Sequence, residues 1–321
     1  MEKRTVLPLL NSAFEPGKAL ETVEQFEDKD VRNIARAEFF YFSGKAKECS
    51  EIARLYLEDE TMELRLSACM LYGYANMTLG NSAAARRGLD GIRDCMKKLR
   101  YTDASEETYA FCILAGYIGT VLLHQPADEI PDLWKYSSML PGGVKLFAVY
   151  VMAHQAYLKG EYWSAYGMCR TAMFMVENVY PISMIYIQCI MAMCMINRRH
   201  KKEAQEELMK GWVLAEKDGF LEPFIEHHGV LRGLIEVCIR KTDADVYKRI
   251  IEGVMSFSRG WMEIHNTKAK RKVTNELSAM EFSIAMMASD GWTNKEIASY
   301  MEISVNTVKH YLTDIFSKLN V

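Results

Sequence analysis

The 321-residue sequence predicts an all-α protein: a helical-repeat solenoid followed by a small C-terminal domain of three short helices. Three observations predict it. Only 7 prolines occur, and apolar positions recur at spacings of three and four with little of the alternation a strand would need. Small residues return at fixed offsets from a series of loop positions with a period of about 35 to 40 residues, the length of a helical hairpin repeat. Near the C-terminus, three consecutive segments open like helix starts.

The length suggests about two domains. Half of the residues are hydrophobic and a quarter charged, an ordinary globular composition able to bury a sizeable core. The longest uninterrupted apolar run, Cys189 to Ile196, is too short to span a bilayer and reads as a buried repeat helix, so no membrane partner is expected. The 8 cysteines show no zinc spacing and no Cys-x-x-Cys, and no signal peptide precedes them. They read as free buried thiols of a reducing, cytoplasmic compartment.

The array occupies residues 1–242. Its loop positions are Gly44, Gly80, Gly160 and Arg199. Seven residues before them stand Ala37, Gly73, Ala153 and Ala192, and five residues after them Cys49, Ala85, Ala165 and Ala204. Twelve after come Tyr56, Ile92, Ala172 and Gly211. Small residues at the first two sets of places, and at Ala172 and Gly211 in the third, are what two closely crossing helices require. The interval from Gly80 to Gly160 is about double the others, which predicts a degenerate hairpin between them with its loop near His124-Gln125-Pro126. Each hairpin buries its face against its neighbours, so the array is expected to form a superhelix whose concave surface suits binding.

Residues 243–275 form the connection. Val246, Ile250, Val254, Phe257, Trp261 and Ile264 make a helical stripe, consistent with a connector or capping helix. Lys268, Lys270, Arg271 and Lys272 then read as a basic linker, either a solvated tether or cations that graze a DNA backbone. From residue 268 onward seven Lys/Arg face six Asp/Glu, a net charge of +1 against −3 for the whole chain, so non-specific affinity for a polyanion should be modest.

Residues 276–321 hold the three helix starts. Ser278 and Thr293 are each followed three residues on by a glutamate, Glu281 and Glu296, the pattern of a capping box; Ser304 caps without an acid. Only Glu302 and Ile303 separate the last apolar residue of the second helix from the cap of the third, which describes a helix-turn-helix. In the third helix Val308, Leu312, Ile315 and Leu319 share one stripe, while Asn306, Lys309, His310, Thr313 and Ser317 share the opposite one. Such a polar stripe is either a solvated face or the chemistry that reads base edges in a major groove.

Leu277-Ser278, Asn294-Lys295-Glu296-Ile297-Ala298, Ile303-Ser304, Thr307-Val308-Lys309, Ile315 and Lys318-Leu319-Asn320-Val321 resemble the LuxR/GerE-type helix-turn-helix of bacterial transcription regulators. The resemblance implies that Lys309, His310 and Thr313 meet the major groove, and that Ser304, Asn306, Thr307, Asn294 and Lys295 lie where helix N-termini meet phosphates. Tyr311 stands where the family usually carries a histidine, with His310 just before it; a tyrosine still donates to a phosphate. The family's fourth helix, which helps two modules pair, would follow Val321. The expectation is that the natural protein is longer, the alternative being pairing elsewhere.

The array's spacing is similar to the tetratricopeptide repeat (TPR). Residues 215–224 also resemble the end of the repeats in the maltose-regulon activator and its relatives, where such an array precedes a LuxR-type module. That implies a TPR-like sensor or docking region.

Enzyme chemistry is not expected. Gly44-Lys45 lacks the first glycine and the Ser/Thr of a phosphate loop, and no Gly-x-Ser-x-Gly or His-Glu-x-x-His occurs. His227 and His228 are adjacent and point about 100° apart on a helix, so joint metal ligation is not expected, and no cofactor is implied. Nothing resembles a phosphoacceptor domain. The sequence thus reads as a bacterial cytoplasmic transcription regulator binding double-stranded DNA, with an unknown small-molecule effector or protein partner on the repeats, RNA polymerase as partner if it activates, and self-association as a homodimer. The competing reading is a repeat adaptor for a protein or peptide whose helix-turn-helix makes contacts other than DNA.

Overall fold

The computed structural model describes residues 4–99, 105–125, 130–265 and 276–320, and every regular element among them is helical. After a short α1 (Ala19–Glu24), four antiparallel hairpins stack: α2 (Lys29–Phe42) with α3 (Ala46–Ala53), α4 (Met62–Thr78) with α5 (Ser82–Leu99), α8 (Gly142–Leu158) with α9 (Tyr162–Met175), and α10 (Pro181–Asn197) with α11 (Lys201–Ala215). Their turns are centred where the sequence placed them. Gly44, Gly80, Gly160 and Arg199 all have left-handed backbone, with φ of +72°, +70°, +79° and +63°.

The small residues sit at the crossings. Ala37, Ala153, Ala192, Cys49, Ala85, Ala165 and Ala204 are fully buried. A Cβ on Gly88 would lie 2.7 Å from the Gly73 nitrogen, so α4 and α5 touch backbone to backbone. Proline in the first turn starts α10, where its missing N–H costs nothing, and the helix is buried all round from Pro181 to Ile196. All eight cysteines are free; burial pushes the thiols of Cys69, Cys112 and Cys194 up to about 12, which leaves them unreactive.

The degenerate hairpin lies between α5 and α8. Helix α6 (Glu106–Val121) is full length, but the described residues between it and α8 supply only the one-turn α7 (Leu133–Tyr136) and a 3-10 turn. Its predicted loop falls partly on Pro126, outside the described residues.

The concave surface differs from expectation. It is filled by the chain itself. Helix α12 (Glu222–Leu231) runs through the inside of the superhelix and touches the first helix of every full hairpin. Glu226 accepts from the hydroxyls of Tyr41 on α2 and, at 3.0 Å, Tyr186 on α10. Thr78 at the end of α4 donates to Glu222, and Tyr150 on α8 lies 2.9 Å from His227 Nε2. His227 and His228 face different partners, the second reaching Glu236 at 2.8 Å on α13 (Leu234–Thr242).

Helix α14 (Ala244–His265) carries the predicted stripe, with Ile250, Val254, Phe257 and Ile264 buried, and packs against α4, α5, α12 and α13. A Cβ on Gly260 would stand 1.9 Å from the Met77 carbonyl oxygen, and Trp261 Nε1 donates to Leu122 O at 3.2 Å. The basic linker predicted after it lies outside the described residues. No helix among the described residues is long and apolar enough to cross a membrane, and no group of three His, Cys, Asp or Glu there could hold a metal ion.

Candidate nucleic-acid interface

The C-terminal unit is built by α15 (Ala279–Ser289), α16 (Asn294–Met301) and α17 (Val305–Leu319). Both predicted capping boxes close. Ser278 N donates to Glu281 at 2.7 Å while Ser278 Oγ accepts from Glu281 N, and Thr293 and Glu296 repeat the arrangement. Each box satisfies two otherwise orphaned amides. Glu302 takes the left-handed conformation that ends α16, and Ser304 Oγ caps α17 by accepting from Thr307 N at 3.0 Å. Lys318 donates to both Glu281 oxygens at 2.7 Å, tying the end of α17 to the start of α15. Burial raises the Glu281 carboxyl, but the Lys318 ammonium and the Ser278 amide outweigh it and hold the group below its ordinary value.

Val308 and Ile315 are buried under α17, with Leu312 and Leu319 half-buried beside them. Asn306, Lys309, His310 and Thr313 are exposed together on the opposite face, spaced so that they form one strip. Thr313 Oγ1 donates to Lys309 O at 3.0 Å, which leaves its oxygen free to accept. Ser304 and Thr307 hydroxyls lie 2.8 Å apart at the head of the same helix. Asn294 and Tyr311 are half-buried and Lys295 is exposed. Asn306, Lys309, His310 and Thr313 thus share the exposed face of α17 with Ser304 and Thr307 at its head, whereas Tyr311 lies beside the buried stripe, and Asn294 and Lys295 open α16 next to Glu296, which pairs with the array.

Little in the sequence signals what holds this unit. Its turns dock on the end of the array. Arg199 Nη1 pairs with Glu296 at 2.5 Å, and its guanidinium lies 5.3 Å from the Trp292 ring centroid. Arg232 pairs with Asp290 at 2.7 Å, while Lys241 and Lys201 both pair with Glu302, Lys201 at 3.6 Å. The Lys241 ammonium, with help from Lys201, holds Glu302 below its ordinary value. Gly233 leaves room for Met301, whose sulfur would be 2.4 Å from a Cβ there, and Gly229 admits Phe282. The one readable signal was Arg199, an arginine in a place where three other repeats carry glycine.

These contacts matter electrostatically. Residues 276–320 carry six carboxylates and only three lysines. Three of the carboxylates, Asp290, Glu296 and Glu302, face cations of the array, and a fourth, Glu281, faces Lys318. The docking consumes acids and leaves the α17 strip uncovered.

Comparison with known proteins locates the kinship here. Residues 275–321 match the family described as bacterial regulatory proteins, luxR family. This chain is also similar to response regulators: 27% identical over 106 residues to the uncharacterized response regulatory protein YgeK of Escherichia coli (strain K12), covering 31% of this chain and 71% of that protein. It is 33% identical over 111 residues to the response regulator protein VraR of Staphylococcus epidermidis (strain ATCC 12228 / FDA PCI 1200) and 34% over 113 residues to VraR of Staphylococcus aureus (strain Mu3 / ATCC 700698). Both alignments cover 32% of this chain, and the chain spans about half the length, 53%, of each VraR. No solved structure matches the chain.

Proposed function

We propose that this protein is a bacterial transcription regulator that binds double-stranded DNA through its LuxR-type unit, with residues 1–242 as a TPR-like sensor and 243–275 as the connection to the DNA-binding region at 276–321. The observation that carries the proposal is the strip of Asn306, Lys309, His310 and Thr313, which stays exposed while the opposite edges of the unit are docked on the array. In this reading α17 enters the major groove. Lys309, His310 and Thr313 lie at the groove, His310 and Thr313 addressing base edges and Lys309 a phosphate beside them, while Ser304, Asn306, Thr307, Asn294, Lys295 and Tyr311 hold the backbone on either side.

The test separates positioning from reading. Lys309→Ala is expected to weaken binding to all sequences, because a lost cation fails uniformly. His310→Ala is expected to change which bases are preferred, with about 1–3 kcal/mol of discrimination lost at one position. Affinities for the best site and for its single-base variants measure both. Unchanged affinity and preference in the two variants would reject this docking and favour an adaptor whose helix-turn-helix contacts protein.

A further inference from the structure

We propose that the cleft between α4, α5 and α6 is the effector site, and that it takes a small amphipathic carboxylate: an apolar aliphatic or aromatic body ending in one anionic group. The assignment rests on the reading of the chain as a regulator with a sensing array. It explains a defect in that array. Where the third hairpin should place a full outer helix against α5, the described residues supply α7 and a 3-10 turn, and beside them lies a cavity of about 610 Å³, within the range of roughly 300–1,000 Å³ that holds small ligands.

The wall of α6 is packed at Gly116, where a Cβ would stand 3.2 Å from Ile130, and cut back at Gly119. Gly116 and Gly119, one helical turn apart, both line the cavity, and no atom lies within 4 Å of where a Cβ on Gly119 would be. At Gly88 a glycine lets α5 touch Gly73 of α4; at Gly119 the space is left open. Met70, Leu89, Ile92, Met96, Ile113 and Ile118 make the walls apolar. Thioethers and tyrosine rings suit a body that is either a chain or a flat ring.

The charged groups among the described lining residues are both cations. Arg93 and Lys97 line the cavity, and among the described residues no carboxylate does. Both cations are exposed and hold surface partners: Arg93 pairs with Asp90 at 2.8 Å and donates to Gln125 Oε1 at 3.4 Å, and Lys97 lies 3.8 Å from Asp94. Such pairs contribute little and exchange readily for a better-placed anion. Gln125 and Thr120 also line the cavity and supply neutral hydrogen-bonding groups. Tyr74 lines it too, and its ring stands edge-on to that of Tyr41, which holds Glu226 of α12. An occupant therefore touches the packed layer that ends, through Gly229 of α12, against Phe282 of the DNA-binding unit.

The experiment uses the full chain and two carboxylates, decanoate and naphthylacetate, each with the corresponding alcohol as a same-body control, in calorimetric titrations and thermal melts. At least one carboxylate is expected to bind at one site and raise the melting temperature, and to bind about tenfold more tightly than its alcohol. Arg93→Gln with Lys97→Gln is expected to abolish that preference. Gly119→Phe should fill the cavity and remove binding, whereas Gly119→Ala, with an unaltered circular dichroism spectrum, should retain it. Equal binding of acid and alcohol, binding that survives Gly119→Phe, or no binding of either carboxylate overturns the assignment. DNA binding measured on the same preparations distinguishes a failure of this site from a failure of the regulator reading.

Discussion

The left-handed turn of each hairpin favours glycine, because a Cβ there crowds the following carbonyl at a cost of roughly 1–2 kcal/mol. Arg199 accepts that cost, and its side chain is the one that reaches Glu296 and Trp292. Arg199→Gly should therefore leave the array as stable or slightly more stable while loosening the DNA-binding unit. Small-angle scattering on the full chain is expected to show a larger radius of gyration with an unchanged or raised unfolding midpoint. A variant that stays compact but melts earlier would mean the arginine serves the turn instead. Glu38 makes a second prediction. Its two oxygens accept from Leu9 N and Leu10 N at 2.9 Å, yet full burial outweighs those donors and pushes its carboxyl up to about 8. A raised folded pKa means the native state holds a proton that the unfolded chain has lost, so stability falls as pH rises from the ordinary carboxylate range through about 8. Burial lowers His154 to about 3 and His227 to about 4, and their opposite effect is complete once the pH passes the ordinary histidine value of about 6.5. Glu226 and Glu222 on α12 are also raised by burial, Glu226 to about 7, and act in the same direction. Denaturant midpoints should thus decline between about pH 6.5 and 8, and Glu38→Gln should make that decline shallower; a slope unchanged in the variant would leave it to Glu226 and Glu222.

Among the elements, α14 departs most from a simple tether. Its glycine at position 260 lets the helix lie directly on the last turn of α4, and Trp261 fastens it to the end of α6. Helix propensity by itself would favour Gly260→Ala by about 1 kcal/mol. The contact decides the sign, because the new methyl would meet a backbone oxygen at 1.9 Å and α14 would have to move. A net loss of about 1–3 kcal/mol is expected. Gly167 on α9 is the control: it is exposed with no atom within 4 Å of a Cβ, so Gly167→Ala should gain about 0.5–1 kcal/mol. Chemical denaturation of both variants checks the pair, and two changes of the same sign would contradict the packing described for α14.

At the scale of the molecule, the array and the DNA-binding unit are joined by exposed ion pairs, a half-buried Arg232–Asp290 pair and a few apolar contacts at Gly229 and Gly233. Exposed pairs are worth about 0–1 kcal/mol each, so neither part should depend on the other for its fold. A fragment ending near Thr267 keeps α14 and should remain helical and cooperatively folded, without DNA binding; circular dichroism melts test this, and loss of cooperativity would mean a shared core. The isolated unit should fold but bind DNA more weakly than the full chain. Undocked, it exposes Asp290, Glu296 and Glu302 beside a polyanion with no array cations to neutralise them, and the deficit should shrink as salt screens the repulsion. Titrations at two ionic strengths measure it.

The sequence by itself determined the helical content, the four turn centres, the degenerate hairpin and the helix starts of the C-terminal unit, because each is written locally. A capping box needs residues three apart, and an amphipathic stripe or a close crossing needs only the right residue at the right helical offset. It also placed Lys309, His310 and Thr313 on one exposed face, since a single helix fixes that geometry. Tertiary structure alone decided that α12 fills the inside of the superhelix, that a cavity opens beside α7, and that Arg199, Arg232 and Lys241 clasp the DNA-binding unit. Arg199 and Glu296 stand 97 residues apart, and a Coulombic pair at that separation leaves no periodic trace in the chain. A cavity leaves none either, because it is the space between helices that each look ordinary alone.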